Sequence, residues 1–334
     1  MPSTTEAAGR RRQPKTAERL AEGRFAAFLV SPTVLVLLLV IIYPVIAAVV
    51  ESTYGAAGLD ESTGFVSDSE PFVGLANYTG IFGDGGARFW NAFANTTFFT
   101  VVSVSLETVI GVAMALIMNH ALRARGIVRA SILVPWAIPT VVSALLWKWI
   151  FNSEGVANAM LGTNILWSSG GFASQVTIIV ADVWKTAPFI GLLVLAGLQL
   201  IPEEVYEAAR MDGAGGWRRF VSITLPLVKP ALLVAVLFRL LDALRMFDLP
   251  YVLIGPRKES VETLAMLVQD QASNVRYGAA SAYAVILFLY VFAVAFAFVG
   301  LLGANLFDDD DAPTTRGLKQ RLRRSEPSQG SVQQ

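Results

Sequence analysis

Six long stretches of predominantly apolar residues alternate with more polar segments along the chain. A helix rises about 1.5 Å per residue, so about 20 apolar residues are needed to cross the roughly 30 Å hydrocarbon layer of a membrane. Each stretch reaches that length, which predicts an all-α integral membrane protein with six transmembrane helices. The predicted spans are Phe25–Val50, Thr97–His120, Ile132–Phe151, Val176–Ile201, Leu225–Pro250 and Ala279–Phe307.

The composition is typical of a membrane protein and excludes several kinds of chemistry. Of the 334 residues, 54% are apolar and 16% are charged, against about 25% charged in soluble domains. The 26 basic and 26 acidic residues balance, so we expect membrane lipid and no nucleic acid as a partner. The chain has no cysteine, and His120 is its single histidine. We therefore expect no catalytic residue, no metal and no cofactor bound by this chain.

Basic residues are distributed unequally between the two sides of the predicted membrane. The connections on the side of the N-terminus hold 18 Lys and Arg residues, whereas the opposite connections hold four. Because basic loops are retained in the cytoplasm, both termini are predicted to be cytoplasmic. The first apolar run is longer than the core of about 7–15 residues in a signal peptide, so we expect it to remain as a span.

The segments between and around the spans divide the chain into five parts. Residues 1–24 are predicted to be a cytoplasmic N-terminal tail, and residues 25–50 the first transmembrane helix. Residues 51–90, which are rich in Gly, Ser and Asp, are expected to form an extracytoplasmic lobe. Residues 91–302 hold the other five transmembrane helices. Residues 303–334 are polar and are predicted to be a disordered cytoplasmic tail.

The loop between the fourth and fifth spans, residues 201–224, predicts two short helices with a break. Pro202 suits the first turn of a helix, and Val205, Ala208 and Ala209 would share one small apolar face. Gly213 favours the end of that helix, and residues 217–223 predict a second helix before the next span. Two interpretations stay open from the residues alone: an amphipathic loop lying at the membrane surface, or a docking site for a partner protein.

The same loop carries a long motif with fixed spacing. The residues Glu207-Ala-Ala-Arg-Met-Asp-Gly213, followed by Ile223-Thr-Leu-Pro226, resemble the EAA loop of binding-protein-dependent ABC import permeases. The resemblance covers about Asn91–Leu302 and implies the type I ABC importer permease fold. In that family the EAA loop forms coupling helices that sit in a cleft of the ATP-binding subunit. The residues that match the docking positions are Glu207, Ala208, Ala209, Asp212 and Gly213.

Other segments resemble the carbohydrate-uptake group of these permeases. Val183–Phe189 and Phe247–Ile254 are similar to its maltose-permease-like member, although Ile254-Gly-Pro-Arg departs from the usual Thr-Gly-Gly-Gly-Pro continuation. Asp182–Phe189 and Leu237–Asp248 are similar to the SugA-type permease of the mycobacterial trehalose importer. The resemblance implies import of trehalose or a related oligosaccharide across a bacterial plasma membrane. The absence of cysteine and the abundance of Ala, Val and Arg fit an actinobacterial source. The alternative is another solute, such as a glycerol phosphate derivative.

Charged residues inside the fourth and fifth spans are candidates for function, because ionisable groups in a membrane are costly unless they face protein or water. Their spacing predicts two ion pairs, Asp182 with Lys185 and Arg239 with Asp242. These groups either hold helices together or contact the sugar, and the resemblance implies that the matching positions line the substrate cavity. The candidate pathway residues are Asp182, Lys185, Thr186, Phe189, Arg239, Asp242, Ala243 and Met246.

Two further features belong to the same interior. Glu107 in the second span is expected to bond to a neighbouring helix. Pro135, Pro139 and Pro188 interrupt helical hydrogen bonding, which is tolerated where neighbouring helices or a cavity satisfy the freed carbonyls. The third and fourth spans are therefore predicted to be kinked.

The chain contains no Walker motif, so it is predicted to be a transporter subunit without enzymatic activity. The resemblance implies that a partner ATPase, present in two copies, uses ATP and Mg to drive alternating access. It further implies a second homologous permease subunit and an extracytoplasmic lipoprotein that binds the sugar. The rival hypothesis is an ion-coupled secondary carrier, in which the buried charges relay protons.

Overall fold

The computed structural model describes residues 15–56, 71–83, 86–120 and 124–303. Within these ranges the regular elements are helices, with an isolated antiparallel bridge between Tyr54 and Phe72. The α-helices are α1 (Lys15–Leu37), α2 (Tyr43–Glu51), α3 (Ala76–Phe82), α4 (Ala87–Asn119), α5 (Arg125–Ala137), α6 (Thr140–Ile150), α7 (Val156–Leu161), α8 (Gly171–Leu198), α9 (Glu203–Met211), α10 (Gly216–Arg219), α11 (Leu225–Ala243), α12 (Asp248–Leu253), α13 (Leu264–Ser273) and α14 (Tyr277–Phe298). Short π-helical turns cover Leu38–Ile42, Phe220–Thr224 and Val299–Gly303.

Five helical segments are long and apolar enough to cross a membrane, and a sharply bent pair of helices supplies a sixth when it is counted as one span. The prediction of an all-α membrane protein with six transmembrane helices is thus confirmed. The observed segments are Phe25–Glu51, Ala87–Asn119, Arg125–Ala137 with Thr140–Ile150, Gly171–Leu198, Gly216–Ala243 and Tyr277–Leu301.

Several predicted segments fall partly outside the described residues. In the predicted N-terminal tail the structure describes residues from Lys15 onward, where α1 begins. The predicted external lobe contains α3 and the first turn of α4, and residues 57–70 and 84–85 of this lobe lie outside the described residues. In the predicted C-terminal tail, residues 304–334 also lie outside them.

The third span differs from the continuous, kinked helix that the sequence predicts. Its two halves, α5 and α6, meet at an angle of 93°. Ile138 adopts extended backbone angles, φ −75° and ψ 134°, because the ring of Pro139 disfavours a helical conformation in the residue before it. Pro135, in contrast, lies inside α5, and Pro188 lies inside α8. Two residues at the break, Ile138 and Pro139, thus turn the chain between α5 and α6.

The fifth span begins earlier and ends earlier than predicted. Residues 217–223 are not a separate helix, because the helical segment runs continuously from Gly216 to Ala243. A π-helical turn, Phe220–Thr224, lies directly before Pro226, and its wider geometry accommodates a residue that has no N–H to donate. The end of this loop and the fifth span therefore form one continuous helical segment.

Helix α8 lies at the centre of the packing, with α4, α11, α5, α6 and α12 around it. Its approach to α4 depends on two glycines. A Cβ atom on Gly111 would lie 2.8 Å from the Cβ of Ile190 and 3.0 Å from the carbonyl oxygen of Ala187. A Cβ on Gly191 would lie 3.2 Å from the carbonyl oxygen of Gly111. Small residues of this kind let membrane helices approach closely.

A network of ion pairs ties the first turn of α4 to α13 and to the loop before it. Arg88 lies 2.6 Å from Glu262 and 2.7 Å from Asp270, which also accepts a hydrogen bond from Arg257 at 2.7 Å. Burial by itself would raise the pKa of Asp270, but the hydrogen bonds from Arg257 and Arg88 outweigh it, and the pKa lies below its ordinary value. This network fixes the first turn of the second span against α13, which precedes the sixth span.

Replacing Gly111 by Ala is expected to destabilise the protein, because the added methyl group would force α4 and α8 apart. Overpacking of this kind costs about 1–3 kcal/mol. Gly126→Ala is the matched control, because nothing lies within 4 Å of a Cβ atom built there. Thermal unfolding of the purified chain in detergent measures both variants. Equal melting temperatures for the two would contradict the close approach of α4 and α8.

Candidate functional site

Arg239 of α11 is the centre of a buried ion cluster that joins three transmembrane helices. Its Nε donates to one carboxylate oxygen of Glu107 at 2.5 Å, and its Nη2 lies 3.0 Å from the other. Nη2 also lies 2.5 Å from Asp182 of α8, and Nη1 lies 3.1 Å from Asp242 on the same helix as Arg239. The second, fourth and fifth spans thus meet at one guanidinium.

The carboxylates of the cluster differ in their exposure. The side chains of Glu107 and Asp182 are 0% and 7% exposed, whereas that of Asp242 is 67% exposed. The hydroxyl of Thr186 lies 2.6 Å from Glu107 Oε1 and also 2.6 Å from the carbonyl oxygen of Asp182. Buried charges are tolerated when they are paired and hydrogen-bonded. Glu107 and Asp182 therefore fix the position of the Arg239 guanidinium. The guanidinium in turn contacts Asp242, whose side chain is exposed.

One of the two predicted ion pairs is confirmed and the other is wrong. Arg239 pairs with Asp242 as predicted, but Asp182 pairs with Arg239 and not with Lys185. The ammonium of Lys185 instead donates to the carbonyl oxygen of Ile138 at 2.9 Å. That carbonyl is released from helical hydrogen bonding by the break at Pro139, so the break supplies a partner that helical spacing cannot reveal. The expectation that Glu107 bonds to a neighbouring helix is confirmed.

A cavity of about 200 Å³ lies against this cluster, and a second of about 310 Å³ adjoins it. Of the predicted pathway residues, Asp182, Lys185, Thr186, Arg239, Asp242 and Met246 line the first cavity. Phe189 lines the second. Ala243 lines neither cavity and is only 1% exposed. Helical periodicity therefore brings most of the predicted residues to one place, with Ala243 turned into the helix packing.

The cavities also contain residues that the sequence reasoning did not select. Trp136 lines both cavities and stacks on Phe189, with ring centroids 5.8 Å apart. Trp136 lies between Pro135 and Pro139, so the kink predicted for this span was the sequence feature that could have identified it. Thr140, Arg245, Phe247, Asp248 and Leu249 complete the first cavity, and Phe238 lines the second.

The arrangement offers hydrogen-bond donors and acceptors beside an aromatic ring. Asp242, Arg245 and Asp248 are exposed and line the same cavity as Trp136. Within the described residues, no group of three or more His, Asp or Glu side chains is arranged to hold a metal ion. The chemistry of this lining suits a polar ligand that makes hydrogen bonds and ring contacts.

The loop after the fourth span forms the other candidate site. Helix α9 ends at Met211, and Gly213 turns the chain with a φ of 75°. The N–H of Ala214 donates to the carbonyl oxygen of Ala209 at 2.9 Å. Of the five predicted docking residues, Ala209 is buried, and the others are exposed on the outer surface of the loop: Glu207, Ala208, Asp212 and Gly213.

Replacing Arg239 by Gln is expected to destabilise the protein strongly, because Glu107 and Asp182 would lose their cation while remaining buried. Breaking a buried ion pair by removing one partner costs about 3–5 kcal/mol. Arg245→Gln is the control, because Arg245 is exposed and its Nε donates to the carbonyl oxygen of Leu241. Thermal unfolding in detergent should separate the two variants by several degrees. Similar melting temperatures would show that the cluster is not a structural centre.

Comparisons with known proteins agree with this architecture. Residues 107–307 match the family described as "Binding-protein-dependent transport system inner membrane component". The chain is 40% identical over 287 residues to the trehalose/maltose transport system permease protein MalF of Thermococcus litoralis, covering 84% of this chain and 94% of that protein. It is 36% identical over 294 residues to the trehalose transport system permease protein SugA of Mycobacterium tuberculosis, covering 87% and 92% of the two chains.

A solved structure shares the fold at lower sequence identity. It is a bacterial ABC transporter involved in the import of the acidic polysaccharide alginate, with a TM-score of 0.72 and 20% identity. The match covers 86% of this chain and 99% of that one. Together with the family match and the relatives, this places the six spans and the EAA loop in one established group. The chain belongs to the family of inner-membrane permease subunits of binding-protein-dependent ABC importers.

Proposed function

We propose that this permease imports trehalose or a related oligosaccharide and forms half of the substrate pathway by alternating access. The observation that carries the proposal is the cavity beside Arg239, whose lining combines Trp136 with the exposed hydrogen-bonding groups of Asp242, Arg245 and Asp248. Sugars are held by such combinations of polar groups and aromatic rings. Two relatives whose names include trehalose add support, at 40% and 36% identity.

The charge of the cavity favours an uncharged ligand over a glycerol phosphate derivative. Its lining contains three carboxylates and three cationic side chains, which balance. Arg239 is already bonded to carboxylates, and Lys185 is bonded to a backbone carbonyl. Neither cation is free to neutralise a phosphate. In this site Asp242 accepts hydrogen bonds from sugar hydroxyls, Arg245 donates to them, and Trp136 packs against the ring.

A second homologous permease subunit completes the pathway in this proposal. Asp242, Arg245 and Asp248 are exposed on the open side of the single chain. Charged groups at this depth are costly in lipid, so this side faces protein or a water-filled cavity. Six spans on a second permease would close the cavity around the sugar. An extracytoplasmic lipoprotein would deliver the sugar from the outside.

The loop at residues 201–224 couples this pathway to two copies of an ATPase that uses ATP and Mg. The exposure of Glu207, Ala208 and Asp212 supports docking, with buried Ala209 and the turn at Gly213 holding the docking surface in shape. Because α10 is continuous with α11, a movement of the loop would be carried directly to Arg239. The excess of basic residues on one side supports cytoplasmic termini in a bacterial, and we propose actinobacterial, plasma membrane.

Asp242→Asn is expected to raise the KM for trehalose uptake about tenfold or more, because a carboxylate that accepts sugar hydroxyls is lost. The amide can still accept a hydrogen bond from Arg239, so the fold should persist. Uptake of labelled trehalose into proteoliposomes that contain the complete importer measures this effect. Glu154→Gln, an exposed position outside the cavity, is the control. An unchanged KM in the Asp242 variant would remove this residue from the pathway.

Glu207→Lys is expected to abolish ATP-dependent uptake, because a charge reversal on the exposed face of α9 repels the ATPase. The permease should still insert and keep its melting temperature, since Glu207 has no buried contact. Uptake and co-purification of the ATPase are measured together, with Glu154→Lys as the control.

A protonophore added to the same assay tests the ion-coupled alternative. Uptake that continues in the presence of ATP supports the proposal. Uptake that collapses with the proton gradient, or that is unaffected by Glu207→Lys, would favour a secondary carrier.

A further inference from the structure

A cavity of about 760 Å³ lies between α9 and the inner ends of the second and fourth spans, and it shares no lining residue with the two pathway cavities. It is bounded by the end of α4, the end of α8, one side of α9 and the end of α10. The lining residues are Asn119, His120, Leu198, Gln199, Ile201, Glu203, Tyr206, Arg210 and Arg219.

The cavity occupies one side of α9, next to the docking surface. Glu203, Tyr206 and Arg210 line it, and their spacing of three and four residues places them on one side of the helix. Glu207 follows Glu203 by four residues and borders this side, whereas Ala208 is exposed on another side of the same helix. A ligand in this cavity would therefore contact the coupling helix at the edge of the surface proposed for the ATPase.

Two guanidinium groups in the cavity have unused donors. The Nε of Arg219 is buried and has no hydrogen-bond partner among the described residues. Arg210 uses its Nε on the carbonyl oxygen of Tyr206 at 3.3 Å, and its terminal nitrogens have no acceptor within the described part of the chain. A buried donor such as the Nε of Arg219 is nearly always satisfied in native proteins by protein, water or an ion, whereas Arg210 is exposed. The two guanidiniums outnumber the single carboxylate, Glu203, in the lining.

We propose that this cavity binds the phosphate group of a ligand through Arg210 and Arg219. Arginine matches phosphate oxygens with paired donors, and Tyr206 lines the same cavity. The source of the phosphate is either a phospholipid headgroup or a soluble phosphate compound. Leu198 and Ile201 give the cavity an apolar edge where the fourth span ends, which suits the start of an acyl chain.

A phosphate held in this position links two parts of the coupling loop. Arg210 lies on α9, and Arg219 lies near the start of the helical segment that continues as the fifth span. Bridging them would fix α9 relative to α11, so the phosphate ligand would regulate how far the loop moves. This site is independent of the sugar pathway and of its substrate.

Binding is tested with the full-length chain, purified in detergent with its co-expressed partner subunits. Phosphatidylglycerol and inorganic phosphate are titrated separately and followed by native mass spectrometry, with diacylglycerol as a lipid that lacks phosphate. We expect saturable binding of phosphatidylglycerol, and a loss of affinity of about tenfold or more in Arg210→Gln and Arg219→Gln. Arg218→Gln is the matched control, because Arg218 is exposed and does not line the cavity.

The outcomes separate the two sources of phosphate and can overturn the site. Saturable binding of phosphatidylglycerol alone identifies a lipid ligand, and displacement by inorganic phosphate identifies a soluble one. The proposal is wrong if neither probe binds saturably, if diacylglycerol binds as well as phosphatidylglycerol, or if both Gln variants bind like the Arg218→Gln control. Melting temperatures of all variants are compared, so that a folding defect is not mistaken for lost binding.

Discussion

Arg239 lies where the second, fourth and fifth spans meet. The carboxylates that balance the charge of its guanidinium determine how the cavity is arranged. Two buried carboxylates, Glu107 and Asp182, take up most of its donors. The remaining nitrogen, Nη1, contacts the exposed carboxylate of Asp242. In a membrane, the two buried carboxylates cannot find water instead. The ion cluster therefore sets the relative position of three helices and the orientation of the exposed carboxylate of Asp242.

The same helices connect the two ends of the transporter. Helix α8 carries Asp182 and leads into the EAA loop, and α10 continues without a break into α11, which carries Arg239. A displacement of the loop would thus be transmitted to the cavity through packed helices and not through a flexible linker. The glycine contact between Gly111 and the region around Ile190 keeps α4 against α8 along this route. The proposed coupling site and the proposed substrate site therefore belong to one helix bundle.

Apolar length alone was enough to predict the six spans, and helical spacing placed Asp182, Lys185 and Asp242 on faces that meet at one cavity. Spacing within a helix could not predict contacts between helices. It therefore assigned Lys185 to Asp182, because the competing partner, Arg239, is 57 residues away from Asp182. The true partner of Lys185 is a carbonyl exposed by the break at Ile138, and the extent of that break depends on packing. Trp136 was missed for the same reason, since it reaches the cavity only after α5 turns at Pro139.

The central claim is that Glu107 and Arg239 act as one unit, and a double-mutant cycle tests it directly. Glu107→Gln, Arg239→Gln and the double variant are purified in detergent, and their free energies of unfolding are compared with that of the unmodified chain. The account predicts that the double variant loses less stability than the two single variants together, with a coupling energy of about 1–3 kcal/mol. Additive losses, with no coupling between the two positions, would contradict it.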